Sequence, residues 1–151
     1  MTVILLAIHI LASVFWVGGM AFAYLILRPA AGALEPAARL PLWHRVFSRF
    51  LPWVGVAIAA LLVSGFWMIF DPFGGFAGLP LYINLMMATG ILMMMLYLHL
   101  VFAPWKRFRI AVDGGAWPDA AVQLNRIRVT VGINLVLGVI TLVIGSTGRY
   151  W

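Results

Sequence analysis

Hydrophobic residues run through this chain in four long blocks, and polar residues collect between them. The blocks fall near 3–27, 50–70, 80–103 and 129–147. A helix needs about 20 apolar residues to cross a bilayer, and each block reaches that length. The pattern predicts an all-α protein, an integral membrane four-helix antiparallel bundle. The blocks use most of the chain, so residues 1–151 form a single transmembrane domain. The link between the second and third blocks is short and rich in Gly and Pro, which makes those two spans antiparallel neighbours.

The polar interruptions carry more information than the blocks themselves. In the first span, His9, Ser13, Trp16 and Met20 are spaced to lie on one helical stripe. A polar stripe inside a span faces protein, water or a cofactor rather than lipid. In the third span, Asn84, Ala88, Met95 and His99 share a face, and five of the eight methionines lie there: Met86, Met87, Met93, Met94 and Met95. The fourth span sets Asn134, Gly138, Thr141 and Gly145 along one side. In the second, Gly55, Ala59, Ala60, Ser64 and Gly65 read as small residues for close packing. Arg28-Pro29 and Ala103-Pro104 read as helix stops. Residues 41–50 alternate aromatic and basic positions, which predicts a short interfacial helix running into the second span, kinked near Pro52. The polar stretch 109–125 reads as a loop, and Gly148-Arg149-Tyr150-Trp151 as an aromatic interfacial anchor.

Composition narrows the class. Of 151 residues, 65% are hydrophobic and 9% charged, far from the roughly 25% charged residues of soluble domains. The net charge of +6 is not a signal for nucleic acid, because the basic residues are sorted by loop. Arg28, Arg39, Arg45, Arg49, Lys106, Arg107, Arg109, Arg126 and Arg128 fall on one side of the predicted bundle, and only Arg149 on the other. The positive-inside rule makes the rich side cytoplasmic and puts both termini outside, in the periplasm of a Gram-negative host. The chain start lacks a basic n-region, so the first block reads as an uncleaved span. There is no cysteine, which removes thiolate metal sites and disulfides from consideration. The acidic residues Glu35, Asp71, Asp113 and Asp119 all fall in predicted loops, which argues against a carboxylate-driven proton transporter. No catalytic triad or phosphate-binding loop is visible.

These motifs have a familiar arrangement. His9-x6-Trp16-x-Gly18-Gly19, the Arg28-Pro29 stop and Arg126-Ile-Arg128…Asn134-Leu-Val-Leu-Gly138 resemble the CopD family of bacterial copper-resistance membrane proteins, in a short stand-alone form. The His-x6-Trp spacing also resembles HemJ-type protoporphyrinogen oxidases, which bind haem b and have a lysine in the third or fourth span. This chain has no lysine in any span, its one lysine being Lys106. The CopD resemblance implies a multi-pass protein of the bacterial inner membrane that handles copper.

The helix rise sets the depths of the candidate ligands. His9 lies nineteen residues before Arg28, about 28 Å from the basic interface, and His99 seven residues before Lys106, about 10 Å from it. A difference of roughly 18 Å prevents one metal or one haem iron from using both histidines. Two layers are therefore expected. The outer one holds His9, Asn84, Met86 and Met87, and the inner one His99, Met95 and Met20. Imidazole and thioether suit Cu(I), so the layers could relay copper. Each histidine could instead be a haem b ligand, with methionine as a possible second; the cofactor candidates are thus His9, His99, Trp16 and Asn84. The blander alternatives are packing for Met93 and Met94, an interhelical hydrogen bond for Asn134 and a solvated His44. Expected partners are the lipid bilayer, a periplasmic copper or electron-transfer protein, and a second copy or a larger membrane complex to which this chain is an accessory subunit.

Overall fold

The computed structural model describes residues 1–71 and 73–150; Pro72 and the Trp151 of the expected aromatic anchor lie outside the described residues. Among the described residues the secondary structure is helical, in four long helices. They are α1 (Thr2–Gly32), α2 (Pro36–Phe70), α3 (Leu81–Asp113) and α4 (Trp117–Tyr150), each long and apolar enough to cross a membrane. The all-α, four-span expectation therefore holds.

The helices overrun the predicted blocks at the arginine-rich end. Pro29 does not stop α1. The chain widens by a π-turn over Phe22–Leu27 and continues to Gly32. Pro104 is likewise absorbed in a π-turn, Val101–Trp105, and α3 runs on to Asp113. A proline lacks an N–H and clashes with the carbonyl four residues back, and a wider turn relieves that clash. The interfacial helix expected at 41–50 is part of α2, which carries both Pro41 and Pro52 inside one continuous helix. The expected loop 109–125 shrinks to Gly114–Ala116. There Gly115 takes φ +67°, a left-handed geometry suited to glycine, and the Ala116 N–H donates to the Ala111 carbonyl at 2.8 Å. Pro36 and Pro118 sit in the first turns of α2 and α4, where the missing N–H costs nothing.

Short links at 33–35 and 114–116 fold the chain into two hairpins, α1–α2 and α3–α4. Helix α4 also packs on α1 and α2, so it joins the hairpins. Helices α2 and α3, expected from their short link to be packed neighbours, instead meet mainly at the arginine-rich end, because each pairs along its length with the other helix of its own hairpin. There the Tyr97 hydroxyl donates to the Leu51 carbonyl at 2.9 Å. The opposite end, which carries both termini, is tied by the Thr2 hydroxyl donating to Asp71 at 2.6 Å.

Two cores result. One fills the apolar part of the bundle with Trp16, Val17, Met20, Val54, Ala57, Leu61 and Met93. The other lies at the arginine-rich end, among the helix extensions, around Leu40, Phe108 and Ile127, each 0% exposed. Trp43, Phe47, Trp105 and Phe108 form its aromatic centre, with Trp43 and Phe47 stacked 5.1 Å apart. Edge-to-face and offset ring pairs of this kind add to simple area burial.

Candidate functional site

His9 is held in the α1–α2 hairpin by two features of α2. Ser64 Oγ lies 2.9 Å from His9 Nδ1. Beside it, Gly65 leaves the space the ring occupies: a Cβ there would stand 3.2 Å from His9 Cε1. The Ser64 hydroxyl has one proton, and the Ala60 carbonyl one turn back takes it at 2.6 Å. Ser64 Oγ therefore accepts from His9 Nδ1–H. That leaves Nε2 with its lone pair free, the arrangement found in histidines that bind metal. Ser64 is 1% exposed, so its hold on the ring is shielded from competing water.

Trp16 and Met20 lie further along the same stripe of α1 and are both buried. Trp16 meets Tyr97 of α3 edge-on at 6.4 Å, which sets these two residues at one level. His9 is seven residues to one side of that level and His99 two residues to the other. The axial separation is about 13 Å. The shared stripe of α1 thus runs from the His9 site into the buried core.

The α3–α4 hairpin closes like a zipper. Tyr82 lies over Gly148, Met86 Sδ is 2.9 Å from where a Gly145 Cβ would be, and Met93 Cε is 3.1 Å from the equivalent point on Gly138. Between them the Thr141 and Thr89 hydroxyls are hydrogen-bonded at 2.8 Å. Asn134 Nδ2 donates to the Met93 carbonyl at 3.3 Å. Asn134 Oδ1 is buried with no hydrogen-bond partner, an unusual state for an interior oxygen. Met93 and Met20 belong to one buried cluster, and Met93 Sδ lies 3.8 Å from Thr141 Oγ1.

The other sequence candidates are placed differently. Asn84, Ala88, Met95 and His99 do share a face of α3, but it is an exposed one. Met95 is 54% exposed while Met20 is 3% exposed, so they meet different surroundings. Asn84 donates to the Leu79 carbonyl at 3.1 Å, at the start of its own helix. Met86 and Met87 are half-buried, and Met86 faces α4 rather than His9. His99 lines an open groove of about 410 Å³ with Arg107, Asn125, Arg126 and Thr130. His44 stacks on Trp105 at 5.6 Å and faces Asp113 at 4.0 Å. Among the described residues, no three His, Asp or Glu side chains group as a metal-holding cluster. A metal held within the bundle would use thioether and amide donors beside one imidazole.

Residues that pattern reading passed over do much of the positioning. Ser64 and Gly65 look like packing residues in a small-residue helix. Met93 reads as filler, although its seven-residue spacing from Met86 matches the spacing of Gly138 and Gly145.

Four long apolar helices with polar groups turned into their contacts define a multi-pass membrane protein. The chain belongs to the CopD family, copper resistance protein D, which matches residues 44–147. That stretch covers most of α2 and all of α3, and α4 as far as Thr147; α1 with His9, Trp16 and Met20 lies before it. Comparison with curated proteins and with solved structures found no match.

Proposed function

We propose that the protein binds and passes Cu(I) within the bacterial inner membrane, with His9 Nε2 as the ligand at the periplasmic side. The observation that carries this reading is the seat of His9: the Ser64 hydroxyl donates to Ala60, so its oxygen accepts from His9 Nδ1–H, Gly65 makes room for the ring, and Nε2 keeps its lone pair. Family membership supports copper as the cargo. Inward from His9, Met20 and Met93 offer thioethers from one buried cluster. Imidazole and thioether donors suit Cu(I) better than hard cations. Both termini would lie in the periplasm, where a soluble copper carrier could deliver the ion.

Anaerobic Cu(I) titration of the detergent-purified protein against a competing chelator, with metal analysis, tests this. The expected result is stoichiometric copper in the wild type, lost in His9→Ala and retained in His99→Ala. Copper retained by His9→Ala would overturn the assignment. A Soret band in the purified protein that His9→Ala abolishes would overturn copper in favour of haem.

A further inference from the structure

Three guanidinium groups converge at the arginine-rich end where α1, α2 and α4 meet. Arg28 follows the π-turn of α1, Arg39 lies in the first turns of α2, and Arg128 is on α4. The charges of Arg28 and Arg39 are near enough to act on Arg128. Tyr24 completes the group. Arg28 Cζ sits 4.9 Å over its ring, and the ring lies against Gly132, where a Cβ would be 3.2 Å from a ring carbon. The Nε atoms of Arg39 and Arg128 are buried and have no hydrogen-bond partner. Among the described residues, the one carboxylate in an ion pair is Asp113, and it faces His44.

Like charges held together repel, and buried guanidinium donors left unpaired are costly. Among the described residues no carboxylate is ion-paired with Arg28, Arg39 or Arg128 to offset either effect. A planar guanidinium fork matches phosphate oxygens with paired hydrogen bonds. The cluster also lies where the spans end, and Leu25 and Ile26, between Tyr24 and Arg28 on α1, are 63% and 58% exposed. A membrane lipid brings a phosphate and an apolar tail to one place, whereas a free anion would leave those apolar residues without a role. We propose that Arg28, Arg39 and Arg128 seat the phosphate of one anionic phospholipid per chain. The seat is independent of the His9 site and stands or falls apart from it.

The full-length protein in detergent, titrated with phosphatidylglycerol, phosphatidylcholine or inorganic phosphate, provides the test. Native mass spectrometry counts bound lipid and thermal unfolding reads its effect. Phosphatidylglycerol should bind one per chain and raise Tm by roughly 5 °C at saturation, and phosphatidylcholine should do neither. Arg39→Gln and Arg128→Gln should lose both responses, while Arg107→Gln, in the separate His99 groove, should keep them. Should Arg128→Gln not fold, Arg128→Lys keeps the charge without the fork and should bind visibly less lipid. Equal responses to the two lipids, or an unchanged response in the Arg39 and Arg128 variants, would overturn the seat. The full Tm shift from inorganic phosphate alone would overturn its assignment to lipid.

Discussion

Ser64 sets the chemistry of His9 without needing to touch any ion. Its hydroxyl proton is committed to Ala60 at 2.6 Å, so its lone pair fixes Nδ1–H of the imidazole. Ser64→Ala removes that acceptor and adds no bulk. Loss of such a supporting contact typically costs 10–100-fold in metal affinity, and we expect a Cu(I) affinity lower by about that factor. The same competition titration reads it, and unfolding should be unchanged or nearly so. An unaltered affinity would mean that the ring is oriented by something else. His9 itself was legible in the sequence, because an ionisable residue in an apolar block stands out. Ser64 was not, because a serine among Gly and Ala in a membrane helix fits packing equally well. Asn84 and Met95 show what pattern alone leaves open. Period alone puts them on one face with His99, and the face is real. Which way that face points depends on where α4 lies, and no property of the third block contains that information.

At the scale of elements, the four helices could be read from hydrophobic length, whereas their ends could not. Proline is a dependable stop only when the chain has no reason to continue. Here the aromatic core at the arginine-rich end rewards continuation, since Trp105, which ends the Val101–Trp105 turn, and Phe108, just beyond it, are both buried. The π-turns at Phe22–Leu27 and Val101–Trp105 absorb the prolines, so α1 and α3 reach that core. The α3–α4 zipper was half legible. The small-residue face of α4 was visible, and its partner residues Met86 and Met93 were not separable from their methionine neighbours. That zipper makes a sharp prediction about glycines. Gly138→Ala would place a Cβ 2.8 Å from Val17 Cγ2 and 3.1 Å from Met93 Cε. Such overpacking costs about 1–3 kcal/mol. Gly90→Ala, with nothing within 4 Å of the new Cβ, should instead stabilise α3 by about 0.5–1 kcal/mol. Thermal unfolding of the two variants in one detergent should move in opposite directions. A Gly138→Ala protein as stable as wild type would show that α4 packs less closely against α1 and α3 than these distances require.

The molecule as a whole is a membrane bundle seated on a second, aromatic core, and the two ends differ in charge. Phe108, 0% exposed at the centre of the lower core, joins α3 to Phe47 of α2, so Phe108→Ala should lower stability by about 3–5 kcal/mol. Denaturant unfolding checks this, and a loss under 1 kcal/mol would mean that the end is not a packed core. The charge difference bears on direction across the membrane. Nine of the ten basic residues lie toward one end, and cytoplasmic loops carry such an excess. The lower core, with its arginines, should therefore lie in the cytoplasm, and the His9 end should open outward. The chain has no cysteine, so single introduced cysteines report sidedness without background. Ala33 lies in the exposed α1–α2 turn and Ala77 in the exposed link before α3. Ala77→Cys should react with a membrane-impermeant maleimide in intact cells. Ala33→Cys should react only after permeabilisation. The reverse pattern would place His9 at the cytoplasmic side. Copper would then reach it from inside the cell, and the proposed delivery by a periplasmic carrier would be excluded while the ligand geometry stayed the same.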